Sequence, residues 1–221
     1  MILSDKFISA TEKYAGYLRR VPAPWFKKDI SFKGDVKKAA ITVCGLGFYE
    51  MYLDGRKITK GRLCPYISNP DQVMFYDDYD ITGLVSGDRC ELKFLLGNGM
   101  QNAFGGFIWD FHKAGFRSAP KLAFAVEILY ADGTVQVIEA DESVLTRPSK
   151  IIRDDLRLGE IYDATFNEGQ WKNAIKATTP KGEKRLSDIK PIVVRDKLTP
   201  VKIWKENNSY IYDFGINTAG V

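Results

Sequence analysis

FYEMYLDGRKI, residues 48–58, is the stretch on which the reading of the fold turns. Phe48, Glu50, Tyr52 and Asp54 fall on one side of an extended chain, and Tyr49, Met51 and Leu53 on the other. Period two with aromatic residues marks a half-buried strand. Asp54-Gly55 then supplies the positive-φ pair of a tight hairpin turn. The same texture recurs on both sides. WFKKDISF (25–32), KKAAITVCGLG (37–47), QVMFYDDYDI (72–81) and RCELKFLLGNG (89–99) read as strands. The second has the near-continuous apolar character of a buried central strand. PKLAFAVEILYADGTVQVIEAD (120–141) is another hairpin, around Asp132-Gly133, and SVLTRPS (143–149) is a short edge strand that Pro148 ends.

Helix signals are scarce. Eight or more short strands spaced by turn residues predict an all-β protein: an antiparallel jelly-roll-type β-sandwich plus the start of a second β domain. Residues 1–24 read as an N-terminal extension, 25–177 as the sandwich, 178–189 as a polar linker, and 190–221 as the first strands of a following domain. From about residue 149 regular alternation fades. Thr218-Ala219-Gly220-Val221 opens a further apolar run. The expected partners are therefore further C-terminal domains of the same polypeptide.

Composition narrows the function classes. The 32 basic and 28 acidic residues leave a net charge of +4. The basic residues are scattered, not striped among aromatics, which argues against nucleic acid. No run approaches the roughly 20 apolar residues of a membrane helix. The start, MILSDKFISATEKY, lacks the basic-then-apolar order of a signal peptide. No membrane partner is expected, and the location expected is cytoplasmic, or periplasmic or secreted had a leader been removed. Cys44, Cys64 and Cys90 are odd in number and lack CxxC spacing. They read as reduced thiols, and neither a disulfide framework nor a zinc site is expected.

Catalytic constellations are thin. The one histidine, His112, lies in a loop, and there is no GxSxG elbow, Walker A or GxGxxG. Asp77 and Asp78 point to opposite faces of a strand. Asp80 and Thr82 suit a turn. Asp154-Asp155 read as solvated loop charges, with calcium ligation the alternative. The glycines of GLGFYE and GNGM read as permissive backbone at strand ends. Residues 97–119 form a long aperiodic loop with five aromatics, and such loops in compact domains are usually functional. Phe104, Phe107, Trp109 and Phe111 with Asn98, Asn102 and Asp110 make a mixed aromatic and polar set. Sugars bind such sets by stacking on rings and bonding to amides and carboxylates. Packing of the same rings on the sandwich is the alternative.

Taken in order, these motifs resemble a known family. GFYEMYLDG, LCPYIS, FYDDYDITGL and LLGNGM, then LGEIYDATFNEGQW and IYDFGINTAGV, are similar to successive segments of the N-terminal region of bacterial α-L-rhamnosidases, glycoside hydrolase family 78. The resemblance covers roughly residues 25–221. It implies a parent enzyme that hydrolyses terminal α-L-rhamnosides with inversion, using carboxylates in a helical barrel beyond this chain. It implies that this chain alone is an inactive accessory module, with an autonomous carbohydrate-binding module or a structural spacer as the alternatives. Rhamnose-containing glycans are the implied ligands. Asn98 is carried over as a sugar contact, beside Trp109 and Asp110 from the loop. Related modules bind rhamnose with calcium through an adjacent Asp-Asn pair. Here that stretch reads Gly45-Leu46-Gly47, so neither metal nor other cofactor is expected.

Overall fold

The computed structural model describes residues 1–105 and 108–218, and its regular structure is nearly all strand. The chain divides into two units, Met1–Pro191 and Ile192–Val221. In the first unit the strands are β1 (Phe7–Ser9), β2 (Pro24–Ser31), β3 (Val36–Leu46), β4 (Phe48–Leu53), β5 (Arg56–Lys57), β6 (Val73–Asp80), β7 (Arg89–Gly97) and β8 (Lys121–Tyr130). They continue as β9 (Val135–Glu139), β10 (Leu145–Pro148), β11 (Ile151–Asp155), β12 (Gly159–Tyr162), β13 (Lys172–Asn173), β14 (Ile175–Ala177) and β15 (Glu183–Leu186). Seven of them form one sheet in the order β14-β1-β8-β3-β6-β15, with β9 also on β8. Six form the other, β13-β10-β2-β7-β4-β5. Every pairing is antiparallel except β15 on β6.

The core lies between the sheets. β4 alternates as expected, with Tyr49, Met51 and Leu53 buried. They meet Ile41 and Val43 of β3, Phe94 and Leu96 of β7, and Phe124 and Val126 of β8. Phe94 and Phe124 come from different sheets and stack across the sandwich, ring centroids 5.3 Å apart. β3 is buried on both faces for a specific reason. Its other side carries Cys44 and Leu46, which join Met74 and Tyr76 in a second cluster covered by Phe7 and Leu3. Tyr76 Oη donates to the Ser4 carbonyl at 2.6 Å, and Ser4 Oγ to Glu139 at 2.7 Å.

Four sequence expectations need correction. Part of the segment read as an extension, residues 1–24, supplies β1 and the cover of an outer sheet face. The segment read as a linker, 178–189, supplies β15. Its sequence is polar because the strand lies at an exposed sheet edge. β10 is not an edge strand, since β13 and β2 flank it. β11 and β12 form a hairpin where no alternation showed, because their residues are half-buried or exposed along their whole length. In the second unit, β16 (Lys202–Glu206) and β17 (Ser209–Asp213) form one hairpin. Ala219-Gly220-Val221, in the expected further strand, lie outside the described residues.

β3 and β4 belong to different sheets, yet one residue, Gly47, separates them. Gly47 turns this corner at φ 110°, and a Cβ there would lie 2.2 Å from the Gly97 carbonyl oxygen. The glycine texture of GLGFYE and LLGNG thus records two backbones in contact.

Candidate functional site

The long loop leaves β7 at Asn98 and returns to β8 at Lys121. What holds it is polar. Asn98 donates its backbone N–H to Asp154 Oδ2 at 2.6 Å and its side-chain Nδ2 to the Asp154 carbonyl at 2.9 Å. Asn98 Oδ1 accepts from Asn102 Nδ2 at 2.9 Å. Asn102 Oδ1 in turn accepts the Ala15 backbone N–H at 3.1 Å. Gln101 Nε2 donates to the Phe116 carbonyl at 2.6 Å and to Ser118 Oγ at 2.9 Å, which ties the loop's start to its end. Asn98, Gln101 and Asn102 are all buried. A buried amide that makes its hydrogen bonds fixes one geometry, because any other leaves unpaired polar atoms.

The aromatic residues sit on this base. Trp109 is 54% exposed, and its ring centroid is 6.0 Å from that of Phe111. The Arg157 guanidinium, from the turn between β11 and β12, lies 4.4 Å from the Trp109 ring centroid. That is cation–π range. Phe104 packs against His112, centroids 5.7 Å apart. Asp110 has a left-handed backbone, φ 49°, and its carboxylate meets Lys113 at 3.0 Å. Phe107 lies outside the described residues.

The expected sugar contacts therefore separate. Trp109 and Asp110 are neighbours on an exposed surface. Asn98 is only 3% exposed and its polar atoms are bonded within the protein, so its role is to anchor the loop. Asp154 was read as a solvated charge and is the loop's main acceptor instead. Burial pushes its carboxyl above the ordinary range, against the Asn98 N–H bond that lowers it, and Glu160 and Asp155 add to the rise. Asp155 does what the sequence suggested for turn carboxylates, accepting the Arg157 and Leu158 N–H groups at 2.8 and 2.9 Å. Asp80 likewise accepts from Thr82. Asp77 faces Tyr49, whose Oη donates to it at 2.6 Å, while Asp78 meets Lys60 at 3.3 Å. Arg157 and Gln101 carried no sequence signal, since each is a common surface type and its partner is distant in the chain. Among the described residues no group of three or more His, Cys, Asp or Glu could hold a metal ion.

The raised Asp154 carboxyl has a testable consequence. Protonated Asp154 fits its buried site better than the charged form. Its stabilising contribution is full below the unfolded value of 3.8 and is lost as pH rises through the higher folded value. Asp154→Asn keeps an acceptor for Asn98 and removes the charge. Urea unfolding of both proteins should show the variant gaining on the parent as pH rises from 3.5 to about 6.5, the window above the ordinary carboxylate value. A gap that narrows over that range would contradict this account.

Fold and site together define an antiparallel β-sandwich module whose distinguishing surface is a polar-pegged aromatic loop. The chain belongs to the α-L-rhamnosidase N-terminal domain family, which it matches over residues 34–205. An α-L-rhamnosidase of Formosa agariphila is 28% identical over 213 residues, 90% of this chain and 22% of that protein. One from Streptomyces avermitilis is 27% identical over 84% of this chain and 19% of its own length. The solved α-L-rhamnosidase of Dictyoglumus thermophilum superposes with a TM-score of 0.80 at 29% identity, covering 95% of this chain and 25% of that one. An Aspergillus terreus α-L-rhamnosidase shares the fold at TM-score 0.81 and 17% identity, over 95% of this chain and 25% of its own. The chain thus spans about a quarter or less of the length of these relatives.

Proposed function

We propose that this chain is the non-catalytic accessory module of an α-L-rhamnosidase-like glycoside hydrolase. It supports substrate recognition and domain packing, while other domains of the same polypeptide hydrolyse terminal α-L-rhamnosides with inversion. The observation that carries this reading is kinship set against size: the family match spans residues 34–205, yet the chain covers only 22% of a curated rhamnosidase. Two features support it. Glycoside hydrolysis needs two carboxyl groups facing each other across the sugar. Here Asp80, Asp132, Asp141 and Asp163 each accept from a hydroxyl two residues on, while Asp77 and Asp154 are engaged by Tyr49 and Asn98. The hairpin of the second unit exposes Ile203, Tyr210, Tyr212 and Phe214. A two-stranded ribbon is marginal alone in water, and such a surface suits packing by further polypeptide.

The exposure of Trp109 favours a second reading, an autonomous carbohydrate-binding module in which rhamnose-containing glycans stack on Trp109 beside Asp110. One experiment separates the two. The chain is incubated with an aryl α-L-rhamnoside and titrated with L-rhamnose, following heat and tryptophan fluorescence. The accessory reading expects neither turnover nor saturable binding at millimolar sugar. Saturable binding that weakens about tenfold in Trp109→Ala, some 1.4 kcal/mol, would instead establish the binding module. Turnover by the pure chain would overturn both.

A further inference from the structure

A cavity of about 580 Å³ opens where three distant segments meet, away from the exposed face of Trp109: residues 9–14, 115–121 and 175–181. Its volume is in the range of small-ligand sites. Its charge is unusual. Arg117, Lys121, Lys176 and Lys181 line it against two carboxylates, Glu12 and Asp71. The ion pairs of the described residues involve other cations, such as Lys6, Lys28, Arg147 and Lys184. Arg117 and Lys121 donate instead to backbone carbonyls, of Ala15 and of Thr178, the latter at 2.8 Å. Arg117 also stacks on Tyr14, 5.0 Å from the ring centroid. Burial holds the Arg117 guanidinium and the Lys121 ammonium below their ordinary values, with Tyr14 and Asp71 only partly offsetting it. Cations drawn out of water without a bonded counter-ion are costly. The cost is relieved when an anion enters.

We propose that this cavity binds a carboxylate-bearing ligand of sugar size, an acidic saccharide of the uronate class. The carboxylate would lie among Arg117, Lys121, Lys176 and Lys181, and the sugar ring against Tyr14 and Phe116. The requirement for an anion rests on the cavity alone. The saccharide identity rests on the rhamnosidase reading above. The site is separate from the Trp109 surface, so the two can be tested apart.

The test is calorimetric titration of the whole chain at low salt with D-galacturonate, D-galactose and inorganic sulfate. Galacturonate should bind at least about tenfold more tightly than galactose, which replaces the carboxylate by a hydroxymethyl group. Its affinity should fall as salt rises toward 0.15 M, where screening over about 8 Å sets in. The exposed double variant Lys176→Glu/Lys181→Glu, chosen because neither side chain is in the core, should lose binding, and Arg117→Met should weaken it. Trp109→Ala should leave it unchanged. Equal affinity for the two sugars, binding of neither, binding of sulfate alone, or an unaltered affinity in the double variant would each overturn the proposal. Rhamnoside turnover would overturn the accessory reading while leaving the difference between galacturonate and galactose to stand or fall by itself.

Discussion

Replacing Gly47 by alanine should destabilise the sandwich by about 3–5 kcal/mol, the sum of two costs of about 1–3 kcal/mol each. The first is conformational. Gly47 sits at φ 110°, a region where a side chain is strained whatever the space around it. The second is steric. The new Cβ would meet the Gly97 carbonyl oxygen at 2.2 Å and the Asn98 carbonyl oxygen at 3.3 Å, and both are backbone atoms with no rotamer to change. Gly97 is paired with Phe48, so neither chain can withdraw without breaking the corner between the sheets. Gly55→Ala is the matched control. Its φ is 77°, but a Cβ there meets nothing within 4 Å. It should cost only the backbone strain, about 1–2 kcal/mol. Urea midpoints of the two variants decide the matter. Equal losses would mean that the close approach to Gly97 carries no weight.

Phe124→Ala should be comparably severe, at about 3–5 kcal/mol. Phe124 is fully buried in the central strand β8, and its ring lies 24° from parallel with that of Phe94 in the opposite sheet. Truncation removes contacts to both layers. The β8 backbone is fixed by β3 along its length, so the site cannot collapse onto the void. Phe94→Ala and the double variant complete a cycle. The pair should show a coupling of about 0.5–1.5 kcal/mol beyond area burial. Additive losses would mean that the two rings fill space independently.

Much of the sandwich was legible because its central strands are half-buried. Each side chain of β4 and β7 faces either core or solvent, and hydrophobicity then records the period. The glycines of GLGFYE were legible for a similar reason, since a backbone contact leaves no room for another residue. β11, β12 and β15 were not, because a strand with little apolar burial on either face has no alternation to read. The loop was recognised as ordered from its aromatics, yet its order comes from Asn98, Gln101 and Asn102. Local sequence cannot show that Asn98 is bonded to Asp154, 56 residues away. That distance is why Asn98 read as a ligand contact and Asp154 as a solvated charge.

The sheet order also has a consequence for how the molecule comes into being. β1 at residues 7–9 is flanked by β8 and by β14 at residues 175–177. β2 is flanked by β10, and β6 by β15 at residues 183–186. Almost no strand of the first unit can complete its hydrogen bonding until the far end of that unit exists. At ribosomal speeds of about 5–20 residues per second, the first strand waits on the order of ten to thirty seconds for its last partner. Throughout that time the edges of β6 and β1 stand open to other chains. Folding dominated by such distant pairings is intrinsically slow. The nascent chain should therefore depend on chaperone capture until residue 186 has cleared the exit tunnel, whereas the 202–213 hairpin can close as soon as it emerges.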